Sequence, residues 1–242
     1  MTKLVNVCAT PAEVASLAAK HFLGRLSSLL AHKPEAHVAV TGGSLGIASL
    51  AAILDLPESK AIDFKRVHFW WGDERFVASD SADRNEVQAR QALLNHIEVD
   101  EAKVHAFPSS DNGLSLEAAK ELFTAELKSV FGARVPAFDL VFLGMGPDGH
   151  IGSLFPGKPA PAEGDFVVAE SDSPKPPPLR LSFSYEVFSA ADEIIFVIGG
   201  SDKAAAVAVA FGSNPQELPV GKVSAKTSSW FLDESAAISI NA

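Results

Sequence analysis

Four short groups of residues carry most of the chemistry this sequence could perform. Asp148, Gly149 and His150 follow an apolar run, Leu140–Leu143, across a break made by Gly144, Gly146 and Pro147. A histidine beyond the end of a buried strand can take and return a proton near neutral pH. Glycines there let the backbone turn and approach a ligand closely. Gly72-Asp73-Glu74-Arg75 ends the run Val67–Trp71. Charged side chains are rarely buried without partners, and an arginine fork matches phosphate oxygens. Thr41-Gly42-Gly43-Ser44-Leu45-Gly46 and Gly199-Gly200-Ser201-Asp202-Lys203 are glycine turns, each between a strand and a helix. Free amides at a helix start suit an anion, so Gly43 and Ser44 are candidate contacts. Lys203 falls in a first helical turn, where a cation is disfavoured unless an anion lies near. Arg180, in Leu179–Phe183, faces either the surface or the same cleft.

Each group also has a plainer reading. His150 could satisfy local backbone groups, Arg75 could pair with Asp73 or Glu74 at a surface turn, and Asp202 could neutralise Lys203. The first glycine loop lacks the lysine of a nucleotide phosphate loop and the glycine spacing of a dinucleotide site.

These groups are positioned by strands alternating with helices. Lys3–Ala9, His37–Val40, Val67–Trp71, Leu140–Leu143 and Glu193–Ile198 read as strands. Shorter extended pieces are expected at Val104–Phe107, Phe166–Glu170 and Leu179–Phe183, the last half exposed because its residues alternate. Helices are expected from Thr10, where Pro11 and Glu13 complete a capping pattern, to Pro34, and over Leu45–Leu54, Asp83–His96, Ser115–Val130 and Ala204–Phe211. Ser171–Pro178 holds four prolines and reads as a loop. Ser229–Ala237 forms a closing element. The alternation predicts an α/β fold, Rossmann-like, with a mostly parallel sheet covered by helices on both faces. With no repeat or linker visible, 1–242 is expected to be a single domain.

The 242 residues are 47% hydrophobic, enough for a substantial core. The net charge of −10 argues against nucleic acid as a partner and requires local Arg and Lys wherever an anion binds. Cys8, the one cysteine, excludes an internal disulfide and any multi-cysteine metal site. His21, His32, His37, His68 and His96 lack metal-ligand spacing and read as structural or surface groups. No signal peptide or membrane-spanning run is visible, so the expected location is the cytoplasm, with no membrane partner.

Taken together, Thr41-Gly42-Gly43-Ser44, Gly72-Asp73-Glu74-Arg75, Gly144-Met145-Gly146-Pro147-Asp148-Gly149-His150, Ser153-Leu154-Phe155-Pro156-Gly157, Arg180 and the Gly199–Lys203 turn resemble the 6-phosphogluconolactonase family. The closing Trp230–Ala236 fits its ending. The resemblance runs through nearly the whole chain, and the His-bearing and GDER stretches are its specific parts. Thr41, Arg84 and Ser182 depart from residues common in the family.

The resemblance implies an enzyme that hydrolyses 6-phospho-D-glucono-1,5-lactone without a cofactor, in the oxidative pentose phosphate pathway; no metal is expected, and the protein is expected to be a monomer or weak dimer. It implies His150 as the base, with Asp148 orienting it or binding a hydroxyl. Gly43, Ser44, Asp73, Arg75, Arg180 and Lys203 are then expected at the phosphorylated sugar lactone. An amino-sugar-phosphate isomerase or deaminase of the same fold would need a carboxylate base, for which Asp73 or Glu74 could serve. That family continues after its histidine with Phe-Asn-Glu-Pro, whereas this chain has Ser153-Leu154-Phe155-Pro156. A non-catalytic sugar-phosphate sensor is the third reading.

Overall fold

The computed structural model describes residues 2–240. The chain opens with strand β1 (Thr2–Cys8) and helix α1 (Pro11–Leu30). Thr10 caps that helix by accepting the Glu13 amide at 3.2 Å, and the Glu13 carboxylate accepts the Ala9 amide at 2.9 Å. Then come β2 (Ala36–Val40), α2 (Ser44–Asp55), β3 (Val67–Trp71) and a three-residue strand β4 (Asp73–Arg75). Next are α3 (Asn85–Ala92), β5 (Val104–His105), α4 (Leu116–Phe131) and β6 (Leu140–Leu143). The remainder is β7 (Val167–Glu170), β8 (Arg180–Phe183), α5 (Tyr185–Ser189), β9 (Glu193–Ile198), α6 (Ala204–Phe211), β10 (Thr227–Asp233) and α7 (Glu234–Ala237).

Seven strands form one sheet in the order β1-β10-β9-β6-β2-β3-β5, every pair parallel. β6 and β9 are buried at every residue, as strands covered on both faces must be. This is the α/β architecture read from the sequence. From β2 the sheet grows outward through β3 to β5; from β6 it grows the other way through β9 to β10. The β6–β2 boundary is therefore where strand order reverses, the place where open α/β sheets bind ligands.

Two expectations are corrected. Leu179–Phe183 is not half exposed, because β8 is the middle strand of a second sheet, β4-β8-β7, antiparallel throughout and buried along its length. Phe183 from β8 packs on Phe138 and Phe123, with ring centroids 5.1 and 6.3 Å away, and Trp70 of β3 meets both of those rings edge-on. That aromatic layer fastens the small sheet to the large one. Asp83–His96 is not one helix either: α3 ends at Ala92, Leu93 leaves helical geometry at φ −141°, and Leu94–His96 forms a 3-10 turn.

Three of the histidines outside the motif, His37, His68 and His105, stack together. His37 and His68 stack at 4.3 Å on adjacent strands, and His68 Nδ1 lies 2.9 Å from His105 Nε2. Burial pushes the His37 imidazole down to about 4, and the charge of His68 adds to that shift.

Candidate active site

The loops after β2, β3, β6 and β9 converge on one cleft of about 250 Å³. It brings together Gly43, Ser44, Asp73, Arg75, His150, Arg180 and Lys203, so seven of the eight residues expected from the sequence line a single space. The eighth, Asp148, is tied to the cleft through His150.

His150 is held from three sides. Its Nδ1 lies 2.5 Å from Asp148 Oδ1, its ring packs on Phe155 at 4.7 Å, and its carbonyl accepts the Gly146 amide at 2.9 Å. Burial lowers the His150 pKa, and Asp148 opposes that shift; Lys175 adds to it and Asp73 opposes. Burial alone would raise the Asp148 carboxyl, but the bond to His150 prevails and holds it below the ordinary range. An ionised Asp148 makes Nδ1 the protonated nitrogen, which leaves Nε2 as the proton acceptor. Gly146 is required here: a Cβ on it would stand 2.0 Å from the His150 ring. Gly149, at φ +78°, turns the chain where a Cβ would also meet Leu218 at 2.7 Å.

The histidine turn is fixed to the small sheet. Ser153 donates from its amide to Ser182 Oγ at 3.1 Å and from its hydroxyl to Asp73 Oδ2 at 2.7 Å. Asn85 Nδ2 donates to the Asp73 carbonyl at 2.8 Å and approaches its Oδ1 at 3.4 Å. Asp73 thus forms part of the cleft wall with both carboxylate oxygens engaged. Glu74 points the other way. It accepts the amides of Arg75, Asn85 and Glu86 at 2.8, 2.7 and 2.9 Å, and so caps α3 from a neighbouring strand. Burial pushes its carboxyl up to about 7, against the pull of Arg84 and those three amides.

The cations differ in what holds them. Arg75 Nη1 donates to the Asp83 carbonyl at 2.5 Å. Arg180 donates from Nε to Pro177 O and from Nη2 to Lys175 O and Pro176 O, each at 3.1 Å. Lys203 lies in a 3-10 turn, Ser201–Lys203, just before α6, and pairs with Asp202 at 2.8 Å. Its partner is thus the one the plainer reading named, while its side chain still lines the cleft. Opposite them α2 begins at Gly43 with no side-chain cap, leaving its first amides for an anion.

Sequence reasoning misses two cleft residues. Asn85 reads from the sequence only as part of a helix start, and its buried Oδ1 has no hydrogen-bond partner among the described residues. Lys175 is hidden in the proline cluster; the signal available is a lone cation inside an otherwise uncharged turn, Ser173–Leu179.

A family described as "Glucosamine-6-phosphate isomerases/6-phosphogluconolactonase" matches residues 9–232. The 6-phosphogluconolactonase of Mycobacterium leprae is 38% identical over 247 residues, covering 99% of each chain. That of Mycobacterium tuberculosis is 39% identical over 227 residues, covering 91% of each. Among solved structures, 6-phosphogluconolactonase from Trypanosoma brucei superimposes with a TM-score of 0.84 at 26% identity, covering 98% of each chain. Among the described residues no helix is long and apolar enough to cross a membrane.

Proposed function

The chain belongs to the glucosamine-6-phosphate isomerase/6-phosphogluconolactonase family, and we propose that it works there as a lactonase through His150. Its reaction is hydrolysis of 6-phospho-D-glucono-1,5-lactone to 6-phosphogluconate, in the oxidative pentose phosphate pathway. Among the family's two chemistries, full-length relatives named 6-phosphogluconolactonase support this one.

The observation that carries the mechanism is the Asp148–His150 pair, 2.5 Å apart, in a cleft also lined by Arg75, Arg180 and Lys203. The cations and the open start of α2 seat the phosphate. His150 Nε2 takes a proton from water as its oxygen attacks C1. The carbonyl oxygen becomes an oxyanion. On collapse the bond from C1 to the ring oxygen breaks, and that oxygen receives the proton from Nε2. The product is a hydroxy acid, which ionises. A positioned base of this kind contributes roughly 10²–10⁴-fold. The substrate is a ring ester, so no electron sink or redox group is called for.

A deaminase would need a carboxylate free to remove a proton at sugar C2. Asp73 is bonded to Ser153 and Asn85, and Glu74 lies under α3 with three amides on it. Their engagement favours the lactonase over that rival.

The test couples freshly made lactone to 6-phosphogluconate dehydrogenase and reads NADPH above the spontaneous rate. The wild type accelerates it, and His150→Asn loses most of that acceleration. Binding of 6-phosphogluconate without acceleration would instead indicate a sensor, and turnover of glucosamine 6-phosphate a deaminase.

A further inference from the structure

The cleft lining is rich in cations and also holds His150, with Asp148 on its ring, and Asp73. Lactone hydrolysis places a new negative charge beside His150, on the carbonyl oxygen of C1. A donor is needed there, because preorganised stabilisation of such an oxyanion is usually a large share of catalysis.

Lys175 has the position for it. It lines the cleft with His150, and its positive charge acts on His150 and Asp148 and also on Asp202, beside Lys203. Its side chain is exposed and forms no ion pair among the described residues, in contrast to Lys203. Its backbone, by contrast, is heavily constrained. The Lys175 amide donates to Ser173 Oγ at 3.2 Å, and the same hydroxyl donates to the Lys175 carbonyl at 2.9 Å. The Ser173 amide closes the turn on the Pro178 carbonyl at 3.0 Å. Arg180, buried in β8, then binds three successive carbonyls of the turn, those of Lys175, Pro176 and Pro177. A rigid turn that carries one unpaired ammonium at the mouth of a cleft presents a charge without spending it on the protein.

We propose that Lys175 is a catalytic residue of this site, its ammonium donating to the oxyanion formed at C1, and that Arg180 is the positioning residue which holds the Lys175 turn in place. The assignment rests on the lactonase reading. The cations then divide their roles. Arg75 and Lys203 serve the phosphate, and Arg180 faces it beside Arg75 while also holding the loop. The Lys175 charge has a second effect, since it disfavours imidazolium and so keeps His150 in its basic form. Asp148 and Asp73 act on the ring in the opposite sense.

The experiment compares wild type, Lys175→Met, Lys175→Arg and Arg180→Gln in the coupled assay across pH, with melting temperatures as the folding control. In Lys175→Met, kcat falls roughly 10²-fold while KM changes little. The acid limb of kcat/KM, set by His150, moves to higher pH because a like charge has been removed. Lys175→Arg recovers part of the loss. Arg180→Gln lowers kcat, and the Arg180→Gln, Lys175→Met double variant loses little more kcat than Lys175→Met alone. A Lys175→Met enzyme with normal kcat and an unmoved limb overturns the proposal. So does a change confined to KM, which would move Lys175 to the phosphate. Additive kcat losses overturn the role given to Arg180. A wild type that fails to accelerate hydrolysis overturns the lactonase reading itself, and is told apart because the failure precedes any variant.

Discussion

Arg75 and Arg180 stand directly opposite each other in the β4–β8 pair. Like charges in register on antiparallel strands destabilise a sheet. Neither guanidinium is paired with a carboxylate among the described residues; both donate to backbone carbonyls. Burial lowers the Arg180 pKa, with Asp73 opposing and Arg75 adding to the shift. A dianion set between the two would turn this repulsion into attraction. Inorganic phosphate or 6-phosphogluconate should therefore raise the melting temperature, by an amount equivalent to about 2.7 kcal/mol at a hundredfold excess over Kd. Arg75→Met should lose most of that gain, raise KM, and change ligand-free stability by less than about 1 kcal/mol. Calorimetric melting with and without phosphate checks all three.

The His150–Asp148 contact sets a pH signature. The His150 pKa lies below its ordinary 6.5, so with His150 as the proposed base the imidazole stays neutral somewhat below that pH, and kcat/KM should fall as pH drops further. Asp148 holds the His150 pKa up, so Asp148→Asn should move this limb to still lower pH while reducing kcat. That displacement is opposite in sign to the one expected for Lys175→Met. A pH–rate series on the two variants separates a partner that favours imidazolium from one that opposes it.

Gly146 offers a purely steric test. A methyl group there would lie 2.0 Å from His150 Nδ1 and Cε1 and 2.5 Å from Asp148 Oδ1, so the ring must leave its place. Displacement of a reacting group by about 1 Å can cost roughly 10²-fold. Gly146→Ala should lose activity on that scale while still binding 6-phosphogluconate. Gly24, in α1, is the contrasting case, since a methyl group added there would meet no heavy atom within 4 Å. Gly24→Ala should keep full activity and gain about 0.5–1 kcal/mol.

Acid stability should depend on Glu193. Its carboxylate, buried at the start of β9, meets His21 at 2.6 Å, Arg25 at 2.7 Å and the Ser229 hydroxyl at 2.6 Å. Burial alone would raise its pKa, but these partners prevail and hold it at about 2. A depressed carboxyl adds stability above its unfolded value near 4.5, and that stability drains away as pH falls towards 2. Glu193→Gln should cost about 1–3 kcal/mol at pH 7, and the gap to wild type should close between about pH 5 and pH 2. Denaturant titrations at stepped pH measure it.

Much of this site is legible in the sequence because its signals are local. An apolar run broken by glycines, proline and histidine points to both the strand and the histidine that lines the cleft. What stays hidden depends on groups that are not side chains or lie far apart in sequence. Arg180 looks like another free cation because the carbonyls it binds carry no residue letter. β4 is three residues long, too short for alternation to declare a strand, so the second sheet and the burial of Leu181 and Phe183 cannot be read. Glu74 caps a helix that starts at Asn85, and no local pattern joins them. His105 completes its ring stack from a two-residue strand.

The placing of β10 between β1 and β9 sets the order in which the molecule can be finished. Thr2 pairs with Thr227, so β1 has no strand beside it until β10, the last of the described strands, is made. Until then α1 holds an apolar face over an incomplete sheet, and both β1 and β9 offer bare edges. The cleft loops after β2, β3 and β6 emerge earlier, but the sheet that aligns them closes only when β10 slides in. A nascent chain stalled before Thr227 is accordingly the species most exposed to aggregation, and the one with most to gain from a chaperone.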